Sequence, residues 1–163
     1  MCRSFARPGA AALLAAAVLV LSTASSSAQA PPATGAVLAT QDTNVAGVVG
    51  EIVECKRKEG VLTIKLRFRN AGAEAASFYM INGQNYDAQY VTAGSKKYFV
   101  LRDSEKVPLA PQPNGGGNIR VSLAPGATWT WWAKYPAPPA EVKSVSYFTS
   151  VAPPFEDIPI TDL

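Results

Sequence analysis

Between Gly60 and Asn70 apolar and polar side chains change places at every step: Leu62, Ile64, Leu66 and Phe68 alternate with Thr63, Lys65, Arg67 and Arg69. A period of two sends each set to its own side of an extended chain. The segment therefore predicts a strand with one face in a core and one in water. Val48 to Lys56, just before it, is also strand-like. Lys58-Glu59-Gly60 between them suits a hairpin turn, with Gly60 supplying a positive φ. Asn70-Ala71-Gly72 predicts the next turn.

The same punctuation continues to the C-terminus. Ala75 to Ile81 is a strand candidate, followed by a polar turn over Asn82 to Asp87. Tyr90 to Thr92 and Lys97 to Arg102 flank Ala93-Gly94-Ser95-Lys96 and predict a second hairpin. Pro108 to Asn118 contains three prolines and Gly115-Gly116-Gly117, which neither hold a helix nor fill a strand, so a loop is expected. Ile119 to Leu123 predicts a strand closed by a type II turn at Ala124-Pro125-Gly126. Thr128 to Tyr135, Val142 to Phe148 and Phe155 to Ile160 complete the set. No sustained helical period occurs beyond the N-terminal region. Seven or eight short strands at spacings of about ten residues, parted by Gly and Pro, predict an all-β fold, an immunoglobulin-like antiparallel β-sandwich.

The N-terminus follows a different rule. Arg3 and Arg7 precede an uninterrupted small and apolar stretch, Ala10 to Leu21, and then small polar residues to Ala30. A membrane-spanning helix needs roughly 20 apolar residues, so this 12-residue stretch fits the helical core of a signal peptide. Cleavage is expected after Ala28, with Ala30 as the other choice. The alternative is an uncleaved anchor. The expected organisation is a signal peptide over 1–28, a flexible linker over 29–44, and the β-sandwich domain over 45–163, with Val37 as the other choice for its start, exported to a periplasm or beyond the cell.

Removal of that leader changes the charge balance. It takes Arg3 and Arg7 and no acid, leaving 13 basic residues against 12 acidic, a net charge of about +1. Nucleic acid then loses its electrostatic support as a partner, and no stable membrane insertion is expected after cleavage. Cys2 leaves with the leader and Cys55 remains alone, so no intramolecular disulfide is expected in an oxidising compartment. Cys55 reads either as a small buried hydrophobe or as a reactive or intermolecular thiol, which would need exposure and a lowered pKa.

The chain contains no histidine, which removes the Ser-His-Asp and Cys-His arrangements in their usual forms and the commonest metal ligand. One mature cysteine cannot build a structural zinc site, and Met80 is the one methionine left for copper. The glycine run at 115–117 lacks the Lys-Ser or Lys-Thr of a phosphate loop. Two carboxylate pairs, Asp103 with Glu105 and Glu156 with Asp157, sit at predicted turns or strand ends. Asn82, Asn85 and Asp87 share one loop and offer oxygen ligands for calcium. No catalytic residue, metal or cofactor is nominated.

Two surface features remain. Lys65, Arg67 and Arg69 share one strand face, with Lys56 and Lys58 across the hairpin. They read either as a solvated face balanced by Glu51, Glu54 and Glu59, or as a contact for an anionic envelope polymer or acidic protein. In the next strand Trp129, Trp131, Ala133 and Tyr135 share one face, and Trp132 shares the other with Thr130 and Lys134. At least one of Trp131 and Trp132 must therefore turn away from the core. The candidate binding residues are Trp132, Lys134, Lys65, Arg67 and Arg69.

Several segments occur in an order that resembles a known family. They are Val61 to Asn70, Lys96 to Asp103, Leu123-Ala124-Pro125-Gly126, Trp132 to Pro139, and Pro154 to Ile160. Together they resemble bacterial exported immunoglobulin-like domains of unknown function. Those domains stand alone behind a signal peptide or accompany peptidoglycan-associating modules, and are distantly similar to the secreted mycobacterial immunoprotective antigen fold. The resemblance covers most of residues 45 to 162 and implies the fold and export. It carries no catalytic motif, and this chain holds no peptidoglycan-associating segment. Three classes of function follow in order: a non-catalytic binding or accessory domain of the cell envelope with a protein or anionic glycan partner; a purely structural envelope protein; and an enzyme using carboxylates or the Cys55 thiol.

Overall fold

The computed structural model describes residues 36–163; the expected signal peptide and the first part of the expected linker lie outside the described residues. Those residues are all-β, with no helix among them. They form β1 (Ala39–Asp42), β2 (Val48–Lys58), β3 (Val61–Asn70), β4 (Ala76–Ile81), β5 (Tyr90–Ala93), β6 (Lys96–Phe99), β7 (Ile119–Leu123), β8 (Thr128–Pro136), β9 (Ser144–Thr149), β10 (Ala152–Pro159) and β11 (Thr161–Asp162). Eleven strands exceed the expected seven or eight. The surplus is partly β1 and β11, which are too short to carry a visible alternation. β1 lies within residues 29–44: Ala39 to Asp42 pair with Ile52 to Val49, and the sheet begins there.

One sheet has the order β1-β2-β3-β8, with β11 adding to β2 beside β1 in the parallel sense. A second has the order β10-β9-β5-β6, and β4 pairs with β7 in a two-stranded sheet. Apart from β11, every pairing is antiparallel.

The alternation of β3 decides what lies inside. Leu62, Ile64, Leu66 and Phe68 are fully buried, while the residues between them are half-buried on the outer face. From β8, Trp131, Ala133 and Tyr135 join them. They meet the second sheet through Tyr147 of β9, whose ring lies 6.3 Å from both Tyr135 and Phe155 of β10. Phe78 of β4 covers the other end, 4.9 Å from Phe68. The Glu59-Gly60 turn that joins β2 to β3 has positive φ at both residues, 49° and 78°. That matches the right-handed twist of a two-residue hairpin, and Gly60 meets it without strain.

β2 does not keep one alternation. The register shifts between Ile52 and Glu54, so Val53 is an extra residue and the strand reverses its faces there. Before the bulge Val48, Gly50 and Ile52 point inward; after it Cys55 and Arg57 do. Glu51, Glu54 and Lys56 are thereby all turned to the outer face.

Candidate functional site

The register of β2, β3 and β8 sets the outer face in rows. Lys56, Thr63 and Lys134 stand side by side; then Glu54, Lys65 and Trp132; then Glu51, Arg67 and Thr130. The last row holds Val49, Arg69 and Thr128. All five nominated residues therefore share one face. Trp132 sits directly opposite Lys65, with Lys134 two residues further along the same side of β8. Trp131 is completely buried and Trp132 is 39% exposed, as the alternation of β8 requires.

Most of the positive charge on this face is already answered. Arg67 reaches Glu51 Oε2 with both Nε, at 2.8 Å, and Nη2, at 2.6 Å, and Arg69 Nη2 lies 3.4 Å from Glu51 Oε1. Lys56 and Lys65 share Glu54 Oε2 at 2.9 and 3.2 Å. Partial burial pushes the Glu54 pKa up, but the hydrogen bonds and charges of Lys56 and Lys65 outweigh it and hold the carboxyl below its ordinary range. The solvated, balanced reading thus describes Lys65, Arg67 and Arg69, with Glu51 and Glu54 as the counter-charges. Lys134 forms no ion pair among the described residues. The part of the face left free to contact a partner is Trp132 with Lys134 and the open side of Lys65.

The other candidate chemistry falls elsewhere. Cys55 is buried, and loss of water pushes its thiol up to about 12, so it stays protonated and out of reach of a substrate. Asp103 Oδ1 accepts the backbone N–H groups of Glu105 and Val107 at 2.9 Å, the work of a turn-forming aspartate. Asn85 Oδ1 likewise accepts the N–H of Asp87 at 3.1 Å. Asp157 takes a positive φ of 52° within the register shift between Phe155 and Ile158 of β10, and both it and Glu156 are exposed.

Two features went unread in the sequence. Arg57 is a buried guanidinium that gathers Asp162 and the turn after β8, and its inward position depends on the β2 bulge. A row of aromatics also crosses the outer face of the second sheet. Phe148 stacks on Tyr90 at 4.6 Å, and Phe99 follows at 6.0 Å with 46% exposure. The aromatic content of β5, β6 and β9 was the available signal, but it needed the strand order to join it. No known family model matches this chain, and no curated protein or solved structure does.

Proposed function

We propose that the protein is a non-catalytic binding or accessory domain of the cell envelope, exported behind its N-terminal leader. Its contact is the outer face of β3 and β8 around Trp132. The observation that carries this reading is the placement of a large, exposed aromatic directly opposite Lys65 and beside Lys134, which forms no ion pair among the described residues. Tryptophan is enriched among the residues that dominate protein interfaces, and a tryptophan beside lysines suits an anionic envelope glycan or the acidic face of a protein. Two larger sheets that meet in a shared core, antiparallel apart from β11, support an immunoglobulin-like sandwich, related to the exported domains that the sequence resembles. The low net charge of the mature chain weighs against nucleic acid.

A purely structural envelope role is the second reading, and one observation favours it: Glu51 and Glu54 neutralise most of the basic stripe from within the fold. Catalysis ranks third, because the thiol is buried and Asp103 is committed to a turn. Mild crosslinking in the native envelope, followed by affinity capture of the tagged protein and of Trp132→Ala, separates the first two. A partner retained by the wild type and lost by the variant is the expected result. Identical capture by both proteins would remove the Trp132 face from consideration and leave the structural role.

A further inference from the structure

The two sheets are joined at one corner through the ends of β6 and β8. Leu101, just beyond β6, donates its N–H to the Lys134 carbonyl at 2.8 Å and accepts from Leu109 N–H at 2.7 Å. Lys134 in turn donates to the Leu109 carbonyl at 3.0 Å. From there toward the Gly94-Ser95 turn the strands part. They leave a groove of about 510 Å³, walled on one side by the consecutive residues 96–102 and on the other by Pro136 and Ala137.

The main chain of β6 faces this groove unpaired. Ala93 and Lys96 flank a two-residue turn and form a hydrogen-bonded pair, as Val91 and Tyr98 then do. Lys97 and Phe99 consequently direct their N–H and C=O away from β5. Among the described residues β6 pairs with β5 alone, and neither Lys97 nor Phe99 has another backbone partner. The opposite wall offers no donor, because Pro136 has no N–H and Ala137 donates its own to Gly60 at 2.8 Å. An unpaired strand edge beside a groove is the geometry into which extended chains add themselves.

The charge of the groove narrows the occupant. Lys96, Lys97 and Arg102 line it, and no carboxylate does. None of the three is in an ion pair among the described residues. Lys96 and Lys97 rest over the rings of Tyr98 and Tyr90, at 5.1 and 4.5 Å, and Arg102 donates to the Lys106 carbonyl at 3.0 Å. A second copy pairing here would set these cations against themselves. The chain's own leading segment holds no acidic residue before Asp42, and it enters the fold at β1, which packs on β10 at the far edge of the second sheet from β6.

We propose that β6 is completed by an extended acidic segment of a partner protein. It lies in the groove as an added strand, pairs with the main chain of Lys97 and Phe99, and sets carboxylates against Lys96, Lys97 and Arg102. This surface is separate from the Trp132 face and does not depend on it.

The test uses the isotope-labelled protein and two short peptides, one alternating glutamate with valine and one alternating lysine with valine. With the glutamate peptide at saturation, amide exchange at Lys97 and Phe99 should slow by about tenfold or more. The lysine peptide should leave it unchanged. Lys96→Glu/Lys97→Glu should reverse that preference, and Trp132→Ala should not alter it. Phe99→Pro should abolish binding by removing the N–H; if that variant fails to fold, the charge-reversed variant carries the test. Unchanged exchange with the glutamate peptide, an equal response to both peptides, or shifts confined to the Trp132 face would each overturn the proposal. Protection of the same amides by raised protein concentration alone would overturn it in favour of a second copy.

Discussion

Arg57 on β2 and Asp162 on β11, 105 residues apart in sequence, are joined by two hydrogen bonds, Nε to Oδ1 at 2.5 Å and Nη2 to Oδ2 at 3.0 Å. The same guanidinium donates to the carbonyls of Pro138, Pro139, Ala140 and Val142 at 2.6 to 3.2 Å. One buried side chain therefore fixes both the proline-rich turn after β8 and the C-terminal strand. Arg57→Ala should cost on the order of 3 kcal/mol, because several charge-assisted bonds and a packed stem are lost together. Urea unfolding of the two proteins measures it. A loss within the scatter of ordinary surface substitutions would mean that the turn holds itself.

The same pair makes stability depend on pH with a definite sign. The Arg57 hydrogen bond, helped by its charge and that of Lys143, holds the Asp162 carboxyl below its ordinary range. A depressed carboxylate pKa contributes stability that is fully present above the unfolded value and is lost as pH falls through the folded one. The stability gap between wild type and Asp162→Asn should therefore be constant from neutral pH down to about pH 5, and should close below about pH 4. Unfolding series at stepped pH give the comparison. A gap that persists unchanged into strong acid would show that the ion pair does not set it.

Two tyrosines in the core should respond oppositely to the same substitution. Tyr147 donates its hydroxyl to Gln89 Oε1 at 3.1 Å, and Gln89 Nε2 donates to the Met80 carbonyl at 3.1 Å, all within the interior. Tyr135 has a buried hydroxyl that meets no partner in hydrogen-bonding geometry among the described residues; burial pushes its pKa up, against a smaller lowering by the neighbouring Tyr147 and Trp131. Tyr147→Phe should destabilise by about 1–3 kcal/mol because it leaves Gln89 short of a partner. Tyr135→Phe removes an unanswered polar group and should be neutral or stabilising. Chemical denaturation of both variants decides the matter; equal losses would mean that the Tyr135 hydroxyl is bonded.

Much of this fold could be read along the chain because β3 is a central strand, flanked by β2 and β8 with one face in the core. Its alternation is complete, and its neighbour β8 repeats it well enough to turn Trp132 outward. What could not be read has a common physical origin in long-range pairing. β1 and β11 have no pattern of their own and are strands because β2 offers them an edge. The bulge at Val53 reverses the faces of β2, so an alternation carried through the strand from Val48 would have misplaced Glu54, Cys55 and Arg57. The candidate residues of β3 and β8 were visible, but the placement of Glu54 against Lys56 and Lys65 depends on that bulge. The β6 groove required knowing where β8 ends.

Gly50 tests the packing between the sheets. It occupies an inward position of β2 with the Phe155 ring laid over it, and a Cβ there would stand 2.9 Å from Phe155 Cζ. No positive φ is involved at this glycine, so the effect of a methyl group is purely steric. Phe155 is fully buried and cannot swing into solvent. Gly50→Ala should cost about 1–3 kcal/mol, and adding Phe155→Leu should recover part of that loss rather than add its own. A double-mutant cycle by thermal or urea unfolding provides the coupling. Strict additivity would show that the two residues do not meet.

Cys55 supplies the sharpest check on whether thiol chemistry belongs to this protein. Its side chain is 1% exposed, and loss of water pushes the thiol up to about 12, against a smaller lowering by the charge of Arg57. At physiological pH it is therefore a protonated, covered group, with neither the thiolate nor the access that nucleophilic attack or disulfide exchange requires. Alkylation of the folded protein should be limited by opening of the fold, so its rate should rise steeply with urea while unfolded protein reacts at once. Raising the pH from 7 to 9 should speed labelling of the folded form only through the thiolate fraction of the opened chain. Immediate labelling under native conditions would place the thiol at the surface and restore the thiol-based reading that its burial now opposes.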